Sequence, residues 1–150
     1  MSWPHHLRRT QVIARPRDEV FAFFADATNL ERITPPELKF RILTPTPIDL
    51  REGTLIDYRL SLFGLTFGWR TKITAWQPSE GFVDEQLRGP YAEWVHTHRF
   101  EPVPEGTRMI DHVRYRLPLF PFGEAAAPVV GWQVGRIFDY RARVIEEVFR

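Results

Sequence analysis

From Leu38 to Leu117 apolar residues recur at every second position, and this long period-two tract limits the possible folds more than any other feature of the chain. Six segments carry it: "LKFRIL" (38–43), "TLIDYRLSLFG" (54–64), "LTFGWRTKITAWQP" (65–78), "GFVDEQLRG" (81–89), "EWVHTHRF" (93–100) and "TRMIDHVRYRLP" (107–118). Turn residues separate them at Glu52-Gly53, Gly64, Gly89-Pro90 and Glu105-Gly106. Short connections of this kind join antiparallel neighbours, so the tract predicts a six-stranded meander. Alternation then divides its side chains into two faces. One carries Asp57, Arg59, Arg70, Lys72, Arg99, Arg114 and Arg116, the pattern of a solvated sheet surface. The other carries Ile56, Tyr58, Leu60, Leu62, Trp69, Ile73, Phe100, Met109 and Val113, and a face this apolar requires a cover.

The C-terminus supplies the cover. In "GWQVGRIFDYRARVIEEVFR" (131–150), Val134, Ile137, Phe138, Arg141, Ile145 and Val148 recur at helical spacing, which predicts one amphipathic helix of about 20 residues or more. The preceding "PLFPFGEAAAPVV" (118–130) reads as a loop; Phe120–Gly131 is either a flexible lid or a hydrophobic connection packed on the sheet end. At the other end "LRRTQVIAR" (7–15) reads as a further strand. Pro16, Asp18 and Glu19 then open a short helix through Val20, Phe21 and Phe24. Residues 26–33 predict a second short helix, capped by Asp26 or Thr28 and stopped by Thr34-Pro35-Pro36.

Strand, two short helices, six antiparallel strands and a long terminal helix is the order of the helix-grip fold. The chain resembles the START-like (SRPBCC) superfamily of polyketide cyclase/dehydrase and lipid-transport-like proteins. The segments that carry the resemblance are "RPRDEVFAFFADATNLERITPPELKF", "WRTKITAWQP", "GPYAEWVHTHRF" and "GTRMIDHVRYRLP". It covers nearly the whole chain and implies a single α+β domain over residues 1–150, a seven-stranded antiparallel sheet wrapped around the C-terminal helix with a cavity between. It implies no single chemistry, because carriers, receptors, cyclases and hydroxylase ligand domains share the scaffold. The hydroxylase domains depend on a Rieske centre, and a chain without Cys cannot supply one; no cofactor is expected.

Within this fold the stretch Trp94-Val95-His96-Thr97-His98-Arg99-Phe100 places two imidazoles among large rings on the inward face. Neighbouring strands bring Tyr58, Trp69, Thr71, Asp84, Gln86, Asp111, Val113 and Tyr115 to the same face, and the helix adds Phe138 and Arg141. Three readings stand side by side. The histidines are core groups satisfied by aspartates; or they orient a ligand in an apolar pocket; or, with Asp111, they act as acid and base or bind a metal. The metal reading lacks a third His, so no metal site is assigned. Trp69, Trp94 and Tyr115 serve either as cavity walls or as packing. Arg141 either anchors a carboxylate or snorkels to the cavity rim.

The expected function is binding of a hydrophobic small molecule, a lipid, polyketide-like or aromatic compound. The alternatives are a cyclase, dehydratase or hydrolase using the His-Asp cluster, and an interaction module whose cavity is filled by its own side chains. A net charge of +1 without a basic stripe argues against nucleic acid. With neither a membrane-length apolar run nor a leader-like N-terminus, no membrane insertion and a cytoplasmic location are expected.

Overall fold

The computed structural model describes residues 2–150. The tract of alternating residues becomes β2 (Arg41–Ile42), β3 (Leu55–Leu62), β4 (Leu65–Gln77), β5 (Gly81–Arg88), β6 (Glu93–Val103) and β7 (Gly106–Arg116), and β1 (Pro4–Ile13) precedes it. All pair antiparallel in one sheet of order β1-β7-β6-β5-β4-β3-β2. The meander thus runs in sequence order, and β1 closes beside the last strand, from Pro4 opposite Arg116 to Ile13 opposite Thr107. Between β1 and β2 lie the helices α1 (Arg17–Phe24) and α2 (Asn29–Arg32). A 22-residue helix, α3 (Ala127–Val148), ends the fold. This is the α+β helix-grip architecture.

Parity is kept through the functional strands. On β6, His96, His98 and Phe100 are buried while Arg99 is exposed; on β7, Thr107, Met109, Asp111, Val113 and Tyr115 are buried and Arg108 and Arg114 exposed. The β3–β4 hairpin turns on Phe63 and Gly64, both left-handed at φ 51° and 82°. A two-residue turn of this hand matches the twist of its flanking strands.

α3 docks on the β1 side of the sheet, where Gln11 Nε2–H donates to the Ala142 carbonyl at 2.8 Å. There Val134 and Phe138 pack with Val113, Tyr115 and Leu117. At the far end of the helix, Ile145 joins Val20, Phe21, Phe24, Phe100 and Met109, so α1 is clamped between helix and sheet. A third cluster, Leu38, Leu60, Leu62 and Trp69, belongs to the β3–β4 side.

Four local expectations need correction. The strand predicted over 38–43 shrinks to Arg41–Ile42. Pro36–Leu38 forms a 3-10 turn instead, and Lys39 beyond it is left-handed at φ 49°, which breaks the extended run. The second helix is only the turn Asn29–Arg32; Asp26 accepts from the Thr28 N–H at 3.0 Å as a turn, and no side chain caps the helix. The strand predicted over 7–15 begins three residues earlier and ends two earlier, Pro4–Ile13. The loop expected over Phe120–Gly131 is largely helical: Phe122–Ala126 forms a 3-10 turn and α3 starts at Ala127. Pro128 lies in the first turn of α3, where a missing N–H costs nothing.

Candidate functional site

Because α3 lies toward β1, the β3–β4 side of the sheet is incompletely covered. A cavity of about 160 Å³ remains there. Ile56, Tyr58, Leu60 and Leu62 of β3 line it, with Trp69, Thr71 and Ile73 of β4 beside them. The segment from α1 to α2 closes it through Phe24, Ala27, Leu30 and Ile33, and α3 contributes Ile137, Phe138 and Arg141. The wall is ordered by its own bonds: Trp69 Nε1–H donates to Thr71 Oγ1 at 3.1 Å, and the Tyr58 hydroxyl meets the same oxygen at 3.1 Å.

One pole of the cavity is polar. Register sets His96 opposite Asp84 and Val113, and His98 opposite Phe82 and Asp111. The short bonds run diagonally instead. His96 Nε2–H donates to Asp111 Oδ1 at 2.7 Å, and His98 Nε2 meets Asp84 Oδ2 at 2.6 Å. The imidazole centroids lie 3.6 Å apart with the rings tilted by 30°, and Phe82 stacks on His98 at 3.9 Å. Arg141 reaches in from α3 and donates through Nη2 to Asp111 Oδ1 at 3.1 Å and toward His98 Nδ1 at 3.4 Å. A donor facing His98 Nδ1 leaves that nitrogen as acceptor and puts the His98 proton on Nε2, toward Asp84. His96 Nδ1 has no hydrogen-bond partner among the described residues; Asp84 Oδ2 lies 3.9 Å away. The guanidinium also sits over the Phe24 and Phe138 rings, at 5.1 and 5.4 Å, and its Nε–H is buried without an acceptor among the described residues.

These environments pull the two carboxyl groups apart. Burial raises Asp84 above the ordinary carboxylate range. Burial also acts upward on Asp111, but the Arg141 charge and the His96 hydrogen bond outweigh it and hold the group well below that range. Burial, then the neighbouring His96 and Arg141, keep His98 far below the usual imidazole value, so it is neutral. Burial, with Asp84 nearby, pushes the Tyr58 phenol up. Opposed carboxyls beside an oriented imidazole are the arrangement from which acid and base roles can be divided.

Of the residues expected at the site, Tyr58, Trp69, Thr71, Asp84 and Trp94 line the cavity, as do His96, His98, Phe138 and Arg141. Five do not. Gln86 is turned to the chain itself, its amide bonding both the N–H and the carbonyl of Tyr91 at 3.1 and 2.8 Å. Phe100, Val113 and Tyr115 are core, filled against α1 and α3. Asp111 sits behind His96 and Arg141 and acts on the cavity through them. Arg141 does not snorkel: it is 6% exposed, because Asp111 compensates its charge inside. Sequence reasoning missed Ala27, Leu30, Ile33, Leu50 and Tyr91 as lining residues. They lie in short helices and connections, where no period shows which way a side chain faces.

Asp84, His96 and His98 have the ligand types of a metal site, with donor atoms within 4.8 Å of one another. The geometry does not suit an ion. Rings 3.6 Å apart and tilted by only 30° direct their in-plane lone pairs side by side rather than at one point, His98 Nε2 is bonded to Asp84, and the Arg141 cation stands against His98.

Residues 13–137 match the family described as polyketide cyclase / dehydrase and lipid transport. No curated protein sequence matches the chain. Among solved structures, the Thermus thermophilus protein TTHA0849 superposes with TM-score 0.76 at 20% identity, covering 95% of each chain. The Zhui aromatase/cyclase of Streptomyces sp. R1128 gives 0.75 at 17% identity over 97% of this chain and 93% of its own. The major latex-like protein 151 of Panax ginseng gives 0.67 at 13% identity over 97% of each. At these identities the likeness is one of fold. Among the described residues no helix is long and apolar enough to cross a membrane.

Proposed function

Since the chain belongs to the polyketide cyclase/dehydrase and lipid-transport family, we propose that it binds an uncharged or weakly polar hydrophobic molecule in the cavity beside α3, with the polar end of the ligand turned to Asp84, His96 and Arg141. The observation that carries this reading is the asymmetry of the cavity. Its walls are aliphatic and aromatic, while its polar groups converge at one pole. Apolar walls with a few convergent polar groups give affinity and orientation respectively. Self-contained packing would not leave the space. A volume of about 160 Å³ suits one or two rings rather than a long acyl chain; a comparable apolar cavity holds benzene. Burying ~200 Å² of such a ligand is worth about 5 kcal/mol, from which the cost of ordering it is subtracted.

The test uses tryptophan fluorescence, because Trp69 and Trp94 both line the cavity. Titration with 1-naphthol gives a saturable change, and Ala27→Leu, which pushes a branched side chain into the space, weakens it. Native mass spectrometry of protein from its own host shows a bound small molecule. A chain that carries no adduct and gives no saturable response to 1-naphthol overturns the reading.

A further inference from the structure

We infer that the ligand enters and leaves through a second space on the far side of Leu38 and Ile137, and that these two side chains are the door between that space and the cavity. The inference rests on the ligand-binding reading above and adds the route that such a ligand takes.

Three observations carry it. First, a second cavity of about 240 Å³ lies between α3, the 3-10 turn Pro36–Leu38 and the tip of the β3–β4 hairpin. Leu38 and Ile137 line both spaces, so only side chains stand between them. The two belong to one apolar cluster with Leu60, Leu62 and Trp69. Contact of this kind has no direction, and a change of rotamer parts it. Secondly, this seam is weakly fastened where other margins of the cavity are tied. Gln86 holds the β5–β6 turn through both polar backbone atoms of Tyr91, at 3.1 and 2.8 Å. Asn29 and Thr34 donate to the Phe23 and Leu30 carbonyls at 2.8 and 2.6 Å. Between α3 and the 3-10 turn the bond from Arg136 Nε–H to Glu37 Oε1 is the only hydrogen bond among the described residues. Its side chains are 39% and 46% exposed, and an exposed pair holds weakly. The turn ends on Lys39, left-handed at φ 49°, a conformation that a residue with a Cβ leaves readily. Thirdly, the mouth is apolar. Phe63 and Trp132 line the outer space and are 57% and 66% exposed. An uncharged ligand meets large rings there before it is fully buried.

Passage needs Leu38 and Ile137 to swing apart while α3 and the sheet stay in place. The cost is the brief separation of two apolar side chains, which the ligand covers as it passes. Such a door sets rates rather than affinity. It changes the barrier equally in both directions, because the free and bound states are the same by any route. Arg136 and Glu37 face each other across the mouth and neither lines the inner cavity. Joining them covalently therefore shuts the passage without altering the inner wall.

The chain has no Cys, so Glu37→Cys combined with Arg136→Cys supplies the only thiols. A bis-methanethiosulfonate reagent joins them, dithiothreitol releases them, and the same protein is compared in both states. Association and dissociation of 1-naphthol are followed by stopped-flow tryptophan fluorescence. The cross-link slows both rate constants by about tenfold or more and leaves their ratio nearly unchanged. Applied after loading, it retains naphthol through desalting. In a second variant, Ile137→Ala, the shortened door speeds association, whereas truncating a residue that is only wall alters dissociation alone. Equal association rates in the joined and released states overturn the route and leave the binding reading standing. Slowed association with faster dissociation also overturns it, because a closed door delays exit as well. Association by Ile137→Ala at the native rate overturns the role of Ile137. No saturable response to 1-naphthol in either state overturns the binding reading, and the route with it.

Discussion

Arg141→Met removes the only cation that faces Asp111 among the described residues, and the structure sets the size of the response. Arg141 is 6% exposed and Asp111 3%, so solvent screens their 3.1 Å pair very little. Breaking a buried pair from one side leaves a charge in a poor solvent and costs about 3–5 kcal/mol. For a chain of 150 residues each kcal/mol moves the midpoint by about 2–4 °C, so Tm falls by about 6–20 °C. The pH dependence changes as well. In the native protein Asp111 is depressed below its unfolded value, which gives stability that is full above the ordinary Asp range and lost as pH falls through the folded value. Without Arg141 the upward effect of burial is opposed only by His96 and His98, and much of that stability at neutral pH disappears. Adding Asp111→Leu removes the stranded charge and recovers much of the loss, less about 1–3 kcal/mol for the His96 N–H left without an acceptor. The assay is thermal and urea unfolding of the three chains from pH 4 to 8. A single mutant within about 1 kcal/mol of native would show that the pair is not buried as described, and a double mutant no better than the single would show that the ion pair is not its cause.

Asp84 behaves oppositely. Its folded value is raised by burial, so its contribution is lost as pH rises from the ordinary Asp range through that value; Asp84→Asn keeps an acceptor for His98 and removes this fall, seen as a flatter stability profile from the ordinary Asp range upward. Thr71→Val deletes the oxygen that meets both Trp69 Nε1–H and the Tyr58 hydroxyl and costs about 1–3 kcal/mol in urea unfolding. Gly106 has φ 139°, and a Cβ there would stand 2.3 Å from the Ile13 carbonyl oxygen; Gly106→Ala lowers Tm more than Gly68→Ala, where a Cβ meets nothing within 4 Å.

Strand parity made most of the site legible in the sequence. His96 and His98 are inward because they alternate with Arg99, and Asp84 and Asp111 followed from the same count on neighbouring strands. Which partner each imidazole takes was not legible. Register sets His98 against Asp111, yet its shortest bond goes to Asp84, because the ring of a twisted strand leans along the sheet and meets the diagonal carboxylate. Arg141 was visible as an oddity on an apolar stripe. Its direction depended on whether a compensating charge lay beneath it, a fact about the packed helix rather than about the stripe.

By itself the chain determined the strand number, the two faces of the sheet, the long covering helix and the chemical types at the site, since each follows from a period shorter than the element that carries it. Only tertiary structure decided where α3 lies across the sheet, and therefore that the space beside β3 and β4 stays open while Phe100, Val113 and Tyr115 become solid core. The physical reason is that a helix docks where the side chains of several distant segments interlock, and no local pattern records the sum of those contacts.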